Sequence, residues 1–328
     1  MRFGVFLRVV FVITVVSPMF LAAAAFGQVA DGYSFTTLDY PGALSTSING
    51  ISGGTIVGTF APGGPSRQGF TYDGTVFSSV AIPLANFTSV NGVSGTTLVG
   101  TYSASGAITA TAAPKHGFIL DGAGFITVDD PLMTLNSIGE GGNAAYGISG
   151  TRIVGDYTTD EEIHGFLYDG AAYAALDDPF AGTSGNGMGT YAHGISGNEI
   201  VGYYVDPNLE AHGFLYNGFS YITLDDPLGV GGTEALGISG SDVVGFYLDS
   251  ANIEHGFIYD GSVFRTVDDP IARDTVISGI DGTIIVGTIN HGQGFIAIDL
   301  PEPAGVTILC VWSAILLRGR NVKGVGSL

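Results

Sequence analysis

Cysteine is almost missing from this chain: Cys310, near the C-terminus, is the only one in 328 residues. The body therefore has no disulfide and no cysteine-based metal site. A domain of this kind must be held by a sizeable apolar core, which a chain this long can supply. Basic residues are nearly as scarce. Between Asp31 and Glu302 lie all 30 acidic residues but only Arg67, Lys115, Arg152, Arg265 and Arg273, a formal charge of −25 for that span. Such a surface excludes nucleic acid and anionic lipid as partners, because too few cations are present to neutralise phosphate. Helix formers are sparse while glycine numbers 53, which favours strands and turns. No P-loop, dinucleotide fingerprint, H-E-x-x-H or G-x-S-x-G string occurs.

Long apolar runs are confined to the two ends. At the start, Arg2 and Arg8 precede an apolar stretch and a run of small residues, with Ala25 and Gly27 at −3 and −1 of a cut before Gln28. That is the pattern of a signal peptide over 1–27, excluded from the fold. At the other end, Pro301-Glu302-Pro303 is followed by an apolar run from Ala304 to Leu317, then Arg318 and Arg320. Those three ordered features resemble a PEP-CTERM sorting signal over 301–328. The resemblance implies an exosortase as processing partner, a Gram-negative cell envelope as destination, and transient anchoring through a C-terminal helix. Fourteen residues of helix span about 21 Å against about 30 Å of hydrocarbon, so the arginines must snorkel. Eight residues, Asn321 to Leu328, also trail the second arginine, where such signals usually stop sooner.

Between the ends, at 28–300, one unit is written six times. The string GISGGTIVG at Gly50 returns at Gly92, Gly147, Gly194, Gly237 and Gly279, each followed by a Gly-Phe at Phe70, Phe118, Phe166, Phe214, Phe257 and Phe295. Each unit reads as about four strands: a short extended Gly-Ile-Ser segment, a β-branched and aromatic strand, and a hairpin. Asp-Gly at Asp73, Asp121, Asp169 and Asp260, with Asn217-Gly218 as equivalent, predicts type I′ hairpin turns. Units of 38–48 residues with four strands predict a six-bladed β-propeller. The last unit lacks a returning strand, and Asp31 to Pro41 is a returning strand without a partner. The N-terminal strand is therefore expected to complete the last blade and close the ring; the alternative, an open β-solenoid, leaves it unpaired.

The HGF(L/I)YDG-type segments at His116, His164, His212 and His255, with the GIS…IVG strings, resemble the HAF-repeat family of bacterial extracellular proteins. Here glycine replaces the family motif's alanine, and Gln68 stands at the first unit's histidine position. The resemblance implies an exported, non-catalytic envelope component associated with exopolysaccharide or biofilm.

The aspartate pairs Asp129-Asp130, Asp177-Asp178, Asp225-Asp226 and Asp268-Asp269 invite a catalytic reading. Glycosidic acid–base work needs two carboxyls facing one substrate about 5–9.5 Å apart, and adjacent strand residues point to opposite faces. Four copies also suit turn chemistry beside proline better than a single active site. No cofactor is expected, although Asp130, Asp178, Asp226 and Asp269 could still ring a channel mouth and gather calcium. The repeated histidines read as structural donors to a neighbouring blade's backbone, and His193 as a satisfied structural group outside the repeated position. Function is expected where symmetry breaks, in the longer connections at 103–114, 133–146 and 183–192 and at 156–162. The enzymatic alternative is a polysaccharide hydrolase or lyase whose inward carboxylates converge from several blades.

Overall fold

The computed structural model describes residues 28–64, 66–103, 114–135, 141–159, 162–183 and 187–300. The leader ending at Gly27, Pro301-Glu302-Pro303, Arg318 and Arg320 lie outside them, as do most of 103–114 and parts of the other long connections. Among the described residues every regular element is a strand, and no helix is long and apolar enough to cross a membrane. The architecture is an all-β propeller.

The chain opens with β1 (Gln28–Ala30) and β2 (Tyr33–Thr37), then a first complete unit: β3 (Ser45–Ser52), β4 (Thr55–Ala61), β5 (Gln68–Tyr72) and β6 (Phe77–Val80), antiparallel in that order. The tight hairpin is the one joining β3 to β4. Ser52 pairs with Thr55, and the two loop residues, Gly53 and Gly54, both have positive φ. The Asp-Gly segments build a different loop from the one their sequence predicts. Tyr72 pairs with Phe77, so four residues intervene, and only Gly74 takes a positive φ. Asp73 keeps ordinary backbone geometry because its Oδ1 accepts the N–H groups of Thr75 and Val76. Asp169 and Asp260 repeat this loop, Asn217 does so with its amide oxygen, and Asp121 closes a shorter loop by accepting from Ala123 and Gly124.

One cross-strand pair organises the core. Gly58 on β4 faces Phe70 on β5, and a methyl group on Gly58 would collide with the phenyl ring and with the Ser47 carbonyl. The same pairing recurs at Gly100–Phe118, Gly155–Phe166, Gly202–Phe214, Gly245–Phe257 and Gly287–Phe295. All six phenylalanines are completely buried. Each ring lies over bare backbone, which is why the glycine belongs to the repeated string.

Where six separate four-stranded sheets are expected, the strands form five: three of four strands, one of five and one of eight. The eight-stranded sheet joins two consecutive units through a single parallel pair, Ile163 with Gly189. A side chain on Gly189 would strike the Ile163 carbonyl, so only glycine lets the two strands meet. The five-stranded sheet holds both ends of the body. β2 pairs with Gln293–Asp299, from Tyr33 opposite Asp299 to Thr37 opposite Phe295, and β1 folds back on β2 as a fifth strand. Tyr33 and Phe35 are buried there, so β2 is not the unpaired strand of an open solenoid.

The innermost strand of every unit carries a β-bulge at one place. The register slips between Ile48 and Gly50, Val90 and Gly92, Ala145 and Gly147, Ala192 and Gly194, Ala235 and Gly237, and Ile277 and Gly279. The glycine after each bulge packs against the next inner strand. A methyl group on Gly92 would lie 2.5 Å from the Tyr146 carbonyl oxygen, and one on Gly147 2.5 Å from that of His193. Gly279 approaches the Gly50 Cα in the same way.

Candidate functional site: the axial cavity

A β-bulge leaves one residue unpaired and re-aims its side chain. The six bulged residues are Asn49, Asn91, Tyr146, His193, Leu236 and Ser278, and all of them line a cavity of about 310 Å³ between the inner strands. The backbone around them repeats closely, but they comprise five residue types. The position after the core glycine on the second strand diverges too: Thr59, Thr101, Asp156, Tyr203, Phe246 and Thr288. So does the residue two before each bulge: Ser47, Ser89, Ala144, Tyr191, Glu234 and Val276.

The lining has two unlike halves. On one, the Asn49 amide nitrogen donates to Thr59, Ser89, Asn91 and the Val90 carbonyl, while Ser89 donates to Asn91. The Asn91 amide nitrogen goes on to Thr101 and the Ala145 carbonyl, and Ser278 donates to the Ile48 carbonyl. This wall is a closed hydrogen-bond ladder running from one unit to the next.

The opposite half is aromatic, through Tyr146 and His193, with Tyr191, Tyr203, Asp156 and Glu234 outside the lining itself. The Tyr146 ring stacks on the His193 imidazole, with centroids 4.2 Å apart and planes 14° from parallel. Tyr203 lies 5.5 Å from His193, and Tyr191 stacks on Tyr203 at 4.5 Å. Asp156 bonds to Tyr146, but its Oδ2 is buried without a hydrogen-bond partner, as is Nε2 of His193. Burial pushes the Asp156 carboxyl up to about 7, against the opposing charge of Lys115. Burial, reinforced by the charge of Glu254, brings Glu234 to about 7 as well. Burial alone pulls the His193 imidazole down to about 4, so it is neutral at pH 7. The expectation that His193 is a satisfied structural group is corrected, since its buried Nε2 has no hydrogen-bond partner among the described residues.

The repeated residues lie elsewhere. Nδ1 of His116, His164, His212 and His255 is 2.6–3.0 Å from the first aspartate of its own hairpin: Asp129, Asp177, Asp225 and Asp268. These bonds replace the expected ones to a neighbouring backbone, because the hairpin brings residues thirteen apart side by side. Burial pulls the His255 imidazole down, but Asp268 and Asp249 more than offset it and leave it raised. The second aspartates, Asp130, Asp178, Asp226 and Asp269, are buried, and each Oδ1 accepts the N–H two residues on, beyond the proline. Their own N–H groups bind Asn143, Thr190, Thr233 and Thr275 at the start of the next inner strand. These carboxylates fasten each unit to the next and enter no group of converging ligand atoms among the described residues. Two such groups do occur, Asp206–Glu210–His212 and Glu254–Asp274–His291.

Sequence reasoning reads the repeated histidines and aspartates as structural and expects function where symmetry breaks, in segments that include Tyr146 and Asp156, but it does not single out Asn49 or Asn91. The signal that could have found them is variability at a fixed place inside an otherwise constant string.

No family model matches this chain, and no curated protein matches it. Solved structures resemble it at low identity. A lectin mutant from Aleuria aurantia in complex with Fucalpha1-6GlcNAc is 15% identical, over 68% of this chain and 77% of that one, with a TM-score of 0.46. AofleA from Arthrobotrys oligospora is 14% identical over 80% and 85%, TM-score 0.48, and TolB from Acinetobacter baumannii 12% over 76% and 65%, TM-score 0.46.

Proposed function

We propose that this chain is an exported, cell-envelope-associated binding protein: a six-bladed propeller that holds a saccharide unit of an exopolysaccharide in its axial cavity without cleaving it. The observation that carries this reading is the split lining. A ring serving only as scaffold has no reason to vary the one inward residue per unit while keeping the glycine beside it, whereas a site for one asymmetric ligand requires such variation. Six blades are supported by the sequence of glycine contacts, which passes from unit to unit and returns from Gly279 to Gly50. The leader before Gln28 and the Pro301-Glu302-Pro303 tail support export and exosortase-dependent sorting. The test is co-sedimentation of the full chain with purified envelope exopolysaccharide, beside a Leu236→Trp variant that fills the cavity. Retention of wild type and loss of the variant is the expected result; equal retention removes the cavity from the reading.

A second reading, a polysaccharide hydrolase or lyase, is favoured by one observation. Asp156 and Glu234 come from different units, have no carboxylate counterpart in the other copies, and are both held near 7. Two such groups can be protonated and ionised at one pH, as acid–base cleavage needs. Release of new reducing ends or unsaturated uronates, lost in Asp156→Asn and Glu234→Gln, would establish it in place of simple binding.

A further inference from the structure

Where the third strand of one unit begins, it meets the start of the next unit's inner strand, and these boundaries can be compared residue by residue. Arg67 meets Phe87, Lys115 meets Gly142, and Ile163 meets Gly189. Ala211 meets Gly232, and Gly292 meets Ser45. None of these five boundaries carries a carboxylate at either position. The remaining one, between the last two units, carries two: Glu254 and Asp274.

Like charges brought together in this way destabilise a fold unless a cation stands with them. Asp274 is buried, and among the described residues neither carboxylate has a lysine or arginine partner. Burial pushes the Glu254 carboxyl up; His291 opposes the rise and Asp274 adds to it. The imidazole of His291 is the third member of the group and comes from the loop between the last two strands of the chain. Its Nε2 lies 3.3 Å from Oδ2 of Asp274 and its Nδ1 3.7 Å from Oε2 of Glu254. The His291 N–H donates to Oδ1 of Asp274 and the Asn290 N–H to the Asp274 carbonyl, which pins the loop to that aspartate. One ligand atom from each of the three residues lies within 4.8 Å of the other two. The aspartate side chain is only 6% exposed and the imidazole 67%, so the group opens to solvent on one side.

We infer that Glu254, Asp274 and His291 bind a divalent cation of the zinc type, which fastens the last two units of the ring together. Two carboxylates and an imidazole form a mixed oxygen–nitrogen donor set, which suits Zn²⁺ better than Ca²⁺ with its all-oxygen shell. Three protein donors leave a fourth tetrahedral position to water, on the side that is open. One ring nitrogen ligates, so the exposed imidazole must swing to meet the ion. The group Asp206–Glu210–His212 is a poorer host. Oδ1 of Asp206 already accepts the N–H groups of Asn208 and Glu210, Oδ2 accepts the Asn208 amide, and Nε2 of His212 stands 4.0 Å from Oδ2.

The experiment is calorimetric titration of the EDTA-treated full chain with ZnCl₂ and, separately, CaCl₂ at pH 7.5, with thermal midpoints measured alongside. Physiological ionic strength screens diffuse attraction of either ion to the acidic surface. Zinc is expected to bind at one equivalent per chain and to raise the midpoint, and calcium to bind at least about tenfold more weakly. Two variants are compatible with the fold. Glu254→Ala matches the side chain that Ala211 places at the preceding boundary, and His291→Gly suits the positive φ of 53° at that position. Each should weaken zinc binding about a hundredfold or more, because loss of a ligand exceeds the ~10–100-fold cost of losing a ligand's own hydrogen-bond partner. Glu210→Ala should leave zinc binding unchanged. Zinc binding that disappears in Glu210→Ala but persists in Glu254→Ala and His291→Gly overturns the assignment, and so does zinc binding that all three variants retain. Calcium binding as tight as zinc overturns the class of ion, and no zinc binding by the wild-type chain overturns the site.

Discussion

His193 lies flat against Tyr146, 4.2 Å between ring centroids, with its Nε2 buried and unpaired. The stacking holds an imidazole in a place where only its neutral form is tolerated. Burial lowers its pKa to about 4, so between pH 4 and the ordinary value near 6.5 the unfolded chain binds the proton and the folded chain does not. Stability from this residue is complete above pH 6.5 and falls as pH drops toward 4. His193→Phe keeps a ring against Tyr146 and removes the proton uptake. Urea denaturation at pH 4.5 and pH 7 should show the variant losing less stability on acidification than wild type.

Asp156 acts in the opposite sense. Its folded pKa near 7 exceeds that of the unfolded chain, so the folded state binds more protons between about pH 4 and 7. Its contribution therefore declines as pH rises through that window and is level above it. Asp156→Asn should gain stability relative to wild type from pH 4 to pH 8. A gap between the two thermal midpoints that stays constant across those pH values would contradict the assignment.

The closing sheet can be tested by single truncations. Phe35→Ala removes a ring packed 5.6 Å from Phe295 in the strand that joins the two ends of the body. Loss of a fully buried phenyl costs about 3–5 kcal/mol, or about 10 °C in Tm for a domain of this size. Val29→Ala on the exposed strand β1 should change stability by no more than about 0.5 kcal/mol.

Glycines of equal abundance should differ sharply in tolerance. Gly155→Ala drives a methyl group into the Ala144 carbonyl and the Phe166 ring, and soluble folded protein is not expected. Gly122→Ala meets nothing within 4 Å and needs no left-handed backbone, so its Tm should match wild type within a few degrees.

Much of this fold was readable because the repeated residues do the same work in every copy. Gly58 with Phe70 and its five equivalents appear as a fixed string, since a buried ring over bare backbone tolerates no alternative. The spare strand at Tyr33 matched the vacancy after Asp299 for the same reason: strand count must balance in a sheet whose edge is covered. The cavity was not readable that way. Asn49, Tyr146 and Leu236 share a backbone position and no chemistry, so comparison of the copies passed over them as noise. The histidines are structural, as their repetition implies, but with a partner other than a neighbouring blade's backbone. His164 bonds Asp177 instead, because residues thirteen apart come side by side across the hairpin. Loop type at Asp73 also needed coordinates, because a side-chain carboxylate can do what a left-handed backbone would otherwise do.

The pairing of Tyr33 with Asp299 sets a clock on the molecule's assembly. The strand synthesised near the beginning must wait for one made some 260 residues later before its sheet is whole. Until then Tyr33 and Phe35 have no permanent cover, and the nascent body offers an adhesive hairpin to whatever lies near. A chain built this way cannot complete that sheet until its last strand has arrived.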